Sequence, residues 1–201
     1  MHPDLERRRP LRRPRAFLSN HSDSRLNEPP RVTAPLMAGI AIRAWNMPVH
    51  ELGHIVLYVR SAERSRRFYR DVLGWKEIPT PPGFPGALFS SGRTHHELLL
   101  LEVGEAAAAP PRGRRTGLYH FGLKVGTTDD ELAAMMDTLE KNGVPVAGAT
   151  DHGVTHSLYI ADPDGNEIEL YIDVQPETWR TDPQAILAPP RPLRLARKSK
   201  P

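Results

Sequence analysis

Two stretches of this chain follow one plan, 66 residues out of phase, and the repeat limits the possible folds more than any other feature. The first opens with Gly53-His54-Ile55-Val56-Leu57-Tyr58-Val59, an alternating segment that reads as a strand. Ser61 then caps a helical stretch with Phe68, Tyr69, Val72 and Leu73 on one side, ending at Gly74. Strands at residues 75–78, 86–90 and 95–103 complete a βαβββ module, and residues 79–85, holding Pro81, Pro82 and Gly83, read as a loop. The second copy opens at Tyr119-His120-Phe121-Gly122-Leu123-Lys124-Val125. Its helix runs from about Thr128 through Leu132, Met135, Met136 and Leu139 to a Gly143 C-cap. Strands at 144–146, 154–161 and 166–172 follow, the last two joined by the turn Asp162-Pro163-Asp164-Gly165. The expected fold is α+β, two βαβββ modules (about 51–104 and 117–174) paired into a half-open barrel, with residues 106–113 as the linker.

Strand parity sorts the side chains, because alternate residues point to opposite faces of a sheet. In the second module Tyr119, Phe121, Leu123 and Val125 form an apolar set suited to covering by the helix, which leaves His120, Gly122 and Lys124 on the open face. Ile168, Leu170 and Ile172 likewise turn Glu167, Glu169 and Tyr171 away from the helix, and Leu158 with Ile160 does the same for Tyr159. In the first module Ile55, Leu57 and Val59 take the helix side and His54, Val56 and Tyr58 the other. On the last strand of that module, Leu99, Leu101 and Val103 share Glu97's side and make the more uniformly apolar set. This reading puts His96, Leu98, Leu100 and Glu102 in the concave cup. Val56, Tyr58, Leu98, Leu100 and Tyr171 would then give the cup an apolar, aromatic-tolerant lining.

Charge is segregated along the chain. Residues 1–49 carry nine Arg against four acidic residues, and residues 178–201 carry six basic residues against Asp182. Each end contributes a net +5, so the whole-chain +3 leaves −7 for residues 50–177. The high isoelectric point therefore describes the ends and is no argument for nucleic-acid binding. Residues 1–49, rich in Pro and Arg and without periodicity, read as a disordered extension, with Met37 or Met47 as alternative starts. Residues 178–201 read as a basic, Pro-rich tail, and residues 50–177 as the folded domain. The absence of cysteine excludes disulfide scaffolds, thiolate zinc sites and cysteine nucleophiles. No apolar run approaches the ~18 residues of a membrane span, and the Arg cluster at the start is not followed by the apolar stretch of a secretory signal. The expectations are a cytoplasmic protein, no membrane or nucleic-acid partner, and by default a symmetric homodimer.

His54, His120, Tyr159 and Glu169 all project onto the concave faces in this reading. Two imidazoles and one carboxylate converging there can hold a divalent metal on one side and leave the opposite coordination positions open. Taken singly, each is an ordinary strand residue. What lifts them above that is the equivalent placement of the two histidines in the repeat, with Glu169 on the same face.

The segments Leu118-Tyr119-His120-Phe121, Asp151-His152-Gly153-Val154-Thr155 and Leu158 through Tyr171, the last containing Asp162-Pro163-Asp164-Gly165-Asn166, resemble the catalytic half of type I extradiol (catechol 2,3-) dioxygenases, a branch of the vicinal oxygen chelate superfamily. The resemblance spans about residues 51–179. It implies that His54, His120 and Glu169 bind Fe(II), that a catechol-type aromatic diol chelates the metal, and that O2 enters before ring cleavage beside the diol. Mn(II) would suit nearly the same donors. It further implies that His96 is the acid/base histidine and that Tyr159 and His152 hydrogen-bond the catecholate. Larger members carry four modules, and this chain has two.

Two rival readings share the fold. A glyoxalase I-like lyase or isomerase would take Glu97 as a fourth ligand and use Ni(II) or Zn(II). A non-enzymatic binder related to bleomycin-resistance proteins would need no metal triad.

Overall fold

In the computed structural model, the nine described strands fall in two open, mixed sheets, most of them marked by alternating apolar residues. The structure describes residues 49–111 and 113–196. The extension expected at 1–49 lies outside them, save Val49. The described secondary structure belongs to the unit that begins at His50.

The first module starts with β1 (Ile55–Val59). Ser61 caps α1 (Ala62–Arg67) as expected, its Oγ accepting from the Arg64 amide, and Glu102 Oε2 takes the Ala62 N–H at 2.8 Å. Helix α1 passes directly into a π-helical turn, Phe68–Val72, which buries Phe68 and Tyr69. Strands β2 (Glu77–Ile78), β3 (Gly86–Phe89) and β4 (Leu98–Glu102) follow. The sheet order is β1-β4-β3-β2, with β1 and β4 parallel. Gly86 permits a close approach in this sheet, since a Cβ there would collide with the Leu100 carbonyl oxygen.

The second module repeats the plan with β5 (His120–Gly126), α2 (Asp129–Lys141), β6 (Gly148–Asp151), β7 (Thr155–Ala161) and β8 (Glu167–Asp173). A Thr128/Glu131 capping box starts α2. The sheet runs β5-β8-β7-β6-β9, β9 being the short strand Arg191–Pro192 near the C-terminal end, again with its first and last modular strands parallel.

The helix-side faces of both sheets feed one core. Leu57, Val59, Leu98 and Leu100 meet Phe68 and Tyr69 in the first half, and Leu158, Ile168 and Leu170 meet Leu132 and Leu139 in the second. Polar bonds also cross between modules. The buried Tyr69 hydroxyl donates to Asp162 Oδ2 at 3.0 Å, and the Arg60 amide donates to Asp164 Oδ2 at 3.2 Å. The Asp162–Gly165 turn thus clasps the first module as well as closing the β7–β8 hairpin.

Four expectations are corrected. The reading of β4 is reversed: Leu98 and Leu100 are buried under the helix, in register with Ile55 and Leu57, and Leu99 and Leu101 share the open face with Val56 and Tyr58. A run of four leucines has no alternation to read, and the packing of α1 decides it. Residues 144–146 are not a strand. Val144 and Val146 pack on the core as irregular backbone, and pairing begins when the Ala147 amide bonds the Tyr159 carbonyl. Tyr119, expected under the helix, precedes β5 and is 71% exposed. Lastly, secondary structure continues past 177. Helix α3 (Pro176–Thr181), a 3₁₀ turn (Pro183–Leu187) and β9 (Arg191–Pro192) follow, and Leu193 and Leu195 pack on the core.

Candidate metal and acid-base site

The second module builds a continuous polar constellation on its open face. Antiparallel pairing sets Tyr159 of β7 directly opposite Glu169 of β8, and parallel pairing sets Gly122 of β5 opposite Glu169 on its other side. His120, two residues before Gly122, therefore stands beside the same carboxylate, its Nε2 3.3 Å from Glu169 Oε2. The Tyr159 hydroxyl donates to Glu169 Oε1 at 3.2 Å and meets His152 Nε2 at 2.8 Å. With its proton committed to Glu169, the Tyr159 oxygen accepts from the Nε2–H of His152. Burial, and the adjacent Glu169 charge after it, raise the Tyr159 pKa well above the ordinary phenol range.

His152 reaches this chain from the turn between β6 and β7. Asp151 Oδ1 accepts the Gly153 amide at 2.7 Å, the His152 amide bonds the Thr155 carbonyl at 2.9 Å, and Gly153 sits at φ +80°.

Glu167 is a member of the group that the reading of the sequence left without a role. Register places it opposite His120, and its Oε1 lies 3.4 Å from His120 Nδ1. Both atoms are buried and neither has a hydrogen-bond partner, so the approach is a close polar contact rather than a hydrogen bond. A carboxylate at Nδ1 orients an imidazole that presents Nε2 to a metal. The signal was present as Glu-x-Glu, two carboxylates on one strand face. Tyr119 stacks obliquely on His120, centroids 4.7 Å apart, and the charge of Glu167 raises the pKa of its hydroxyl.

The first module gathers a separate group. The rings of His54 and His96 are 4.5 Å apart, those of His95 and His96 4.4 Å, and His96 Nε2 is buried without a hydrogen-bond partner. Burial lowers the His96 pKa, and the neighbouring His95 and His54 add to the effect. His95 had no assigned role in the sequence. Glu97 is engaged elsewhere: its carboxylate accepts from the Ser91 amide and hydroxyl and from Arg93. Burial of Glu97 acts to raise its pKa, but these bonds outweigh it and hold the pKa below the usual carboxylate value.

The structure therefore brings His120, Glu169, Tyr159 and His152 together, and puts His54 with His95 and His96. Among the described residues no group of three or more His, Asp or Glu side chains stands close enough to hold a metal ion. His54 instead lines a cavity of about 580 Å³ that Gly122, Lys124 and Tyr171 line from the second module. Gly122 leaves room there, since a Cβ on it would meet the Tyr171 ring at 3.1 Å and Glu169 Oε2 at 3.9 Å. In donor type the set fits a divalent metal, and Glu167 stands within reach of the orphaned His120 Nδ1, where a small rotation would give the carboxylate partner such a ligand takes. A larger cavity of about 1390 Å³ is lined by Val56, Tyr58, Val103, Leu118, Tyr119 and Glu167, among others. Residues touching the His120–Glu169 pair thus line both cavities. Among the described residues no helix is long and apolar enough to cross a membrane.

Comparison with known proteins gives this geometry a family. The chain is 36% identical over 137 residues to a catechol-2,3-dioxygenase of Bacillus subtilis (strain 168), covering 67% of this chain and 46% of that protein. It is 28% identical over 147 residues to an iron-dependent extradiol dioxygenase of Rhodococcus jostii (strain RHA1), covering 64% of this chain and 46% of the relative. The chain thus spans about half the length of these curated relatives. A glyoxalase/dioxygenase crystal structure from Nostoc punctiforme shares the fold, with a TM-score of 0.51 at 23% identity over 62% of this chain and 92% of that one. Residues 51–170 match the family model described as Glyoxalase/Bleomycin resistance protein/Dioxygenase superfamily, and the chain belongs to that superfamily.

Proposed function

We propose that this domain holds a divalent metal, Fe(II) foremost, through His54, His120 and Glu169, and cleaves the ring of a catechol-type aromatic diol with O2, beside the hydroxyl-bearing carbons. The observation that carries the reading is the unbroken polar chain His152–Tyr159–Glu169–His120 on one open sheet face. The names of the two dioxygenase relatives support it, one of them iron-dependent. Mn(II) suits the same donors.

The metal, when bound through His54, His120 and Glu169, would supply Lewis-acid chemistry toward the diol and O2. The rest of the work falls to this chain's own groups. Glu167 stands beside Nδ1 of the His120 ring, whose Nε2 faces Glu169, and is placed to orient it. His152 and Tyr159 form a two-member donor path, His152 Nε2–H to Tyr159 and Tyr159 O–H to Glu169, along which a proton can pass from the turn at 151–153 toward the site. The unpartnered Nε2 of His96 is a second place to hold a proton, on the first-module side. Val56, Tyr58 and Tyr119 offer apolar and aromatic surface for the ring and its substituents. The engagement of Glu97 with Ser91 and Arg93 supports three protein donors over the four of a glyoxalase-like site.

The test is anaerobic purification, Fe(II) loading and oxygen-electrode recording over a panel of catechols, with absorbance read for yellow ring-cleavage products. Uptake that needs both Fe(II) and diol is expected. No uptake across the panel, with Ni(II)- or Zn(II)-dependent turnover of a thiol hemiacetal instead, would refute the reading.

A further inference from the structure

We propose that the C-terminal segment, residues 182–195, is a positioning element for His152, pinning the 151–153 turn from outside and so setting that imidazole against Tyr159. The inference rests on the reading of His152 as part of the acid-base path.

Three contacts converge on the turn. Strand β9 pairs antiparallel with β6, Arg191 opposite Asp151 and Pro192 opposite Thr150, and the Leu193 amide continues the ladder to the Ala149 carbonyl at 3.1 Å. Arg191 binds Asp151 Oδ2 at 2.8 Å, on the very carboxylate whose other oxygen accepts the Gly153 amide. Ala188 stands where a Cβ on Gly153 would lie 3.6 Å from its own. His152 sits between the two residues so held, and its Nε2 reaches Tyr159.

The segment is placed to act on position more than on global stability. Arg191 is 69% exposed, so its ion pair contributes little to folding, and the 3₁₀ turn leaves Ile186 and Leu187 in solvent. Without β9, β6 would be the sheet edge, and edge strands open most readily. The side chain that depends on that edge is one with proposed chemistry. Arg191 is a positioning residue, since it touches neither His152 nor Tyr159 in the contacts described.

The test uses the full chain with Arg191→Ala, the double variant Arg191→Ala/Leu193→Ser, and Arg191→Lys. Amide hydrogen exchange at residues 152–153 should quicken at least about tenfold in the double variant while β8 keeps its protection. On Fe(II)-loaded protein, kcat for the diol should fall by about tenfold with KM within about twofold, and Arg191→Lys should recover most of it. Unchanged exchange at 152–153 would overturn the proposal, as would loss of protection throughout β7 and β8, which would make the segment a general part of the fold. Exchange that quickens while kcat holds also overturns it. Should the unsubstituted protein cleave no diol, the functional reading fails by itself, and the exchange arm still decides whether the segment pins the turn.

Discussion

Replacing Tyr69 by Phe isolates one of the bonds that tie the first module to the Asp162–Gly165 turn of the second. Tyr69 is fully buried and Asp162 nearly so, and their contact is 3.0 Å. The ring keeps its place against Phe89 and Trp75, so no cavity opens beyond the hydroxyl. Asp162 retains the Asp164 and Asn166 amides and the Asn166 side chain, so its carboxylate is not orphaned. Hydrogen bonds to charged groups contribute about 1.5–3 kcal/mol, and the remaining donors argue for the lower part of that range, about 2 kcal/mol. In a domain of this size that lowers Tm by about 4–8 °C, and with a urea m-value of about 2 kcal/mol/M it moves the midpoint down by about 1 M. The pH dependence has a definite sign. Burial and Asp162 raise the Tyr69 pKa in the folded state, so its contribution is complete below the unfolded value of about 10 and declines as pH rises past it. The variant lacks this group, and the gap between the two proteins should narrow only in alkali. Urea melts by far-UV circular dichroism at pH 7 and 10.5 test both points. A loss below about 0.5 kcal/mol at pH 7 would refute the claim that this bond joins the modules.

Three further outcomes test the site. His120→Ala and Glu169→Ala should each abolish stoichiometric Fe(II) binding, measured by metal analysis after gel filtration, because each removes one of three proposed donors; full retention in either would refute the ligand set. His96→Ala should keep the metal and lower kcat by about a hundredfold, and unchanged turnover would remove His96 from the mechanism. Gly122→Val should disturb Tyr171 and Glu169, whose atoms lie 3.1 and 3.9 Å from a Cβ there, and lower metal affinity with little change in Tm; normal affinity by titration would show that the space beside Gly122 is not part of the site.

The open face of the second module was legible because its strands alternate cleanly. Phe121, Leu158, Ile160, Ile168, Leu170 and Ile172 are buried, and parity then brings His120, Glu167, Glu169 and Tyr159 to one side. The helix cap at Ser61 and the start of α2 near Thr128 were legible too, since capping is local chemistry. Where alternation is missing, the reading went astray. Leu98 through Leu101 carry no phase, and Val144 with Val146 imitates a strand because its period of two is met by irregular backbone lying on the core. In the C-terminal segment, Leu193 and Leu195 alternate over too short a span to stand out from the prolines and arginines around them.

The sequence alone determined that there are two βαβββ modules, where each begins, and which residues of the second share its open face, because period and capping are properties of neighbours along the chain. Only the tertiary structure decided that His54 stands with His95 and His96, that Glu167 backs His120, that Asp162 holds Tyr69 across the module boundary, and that Arg191 reaches Asp151. These pairs lie 40 to 93 residues apart, and His54 meets His96 through a loop whose course no periodicity encodes. Their distances depend on how sheets and loops pack, and packing is a property of the whole core.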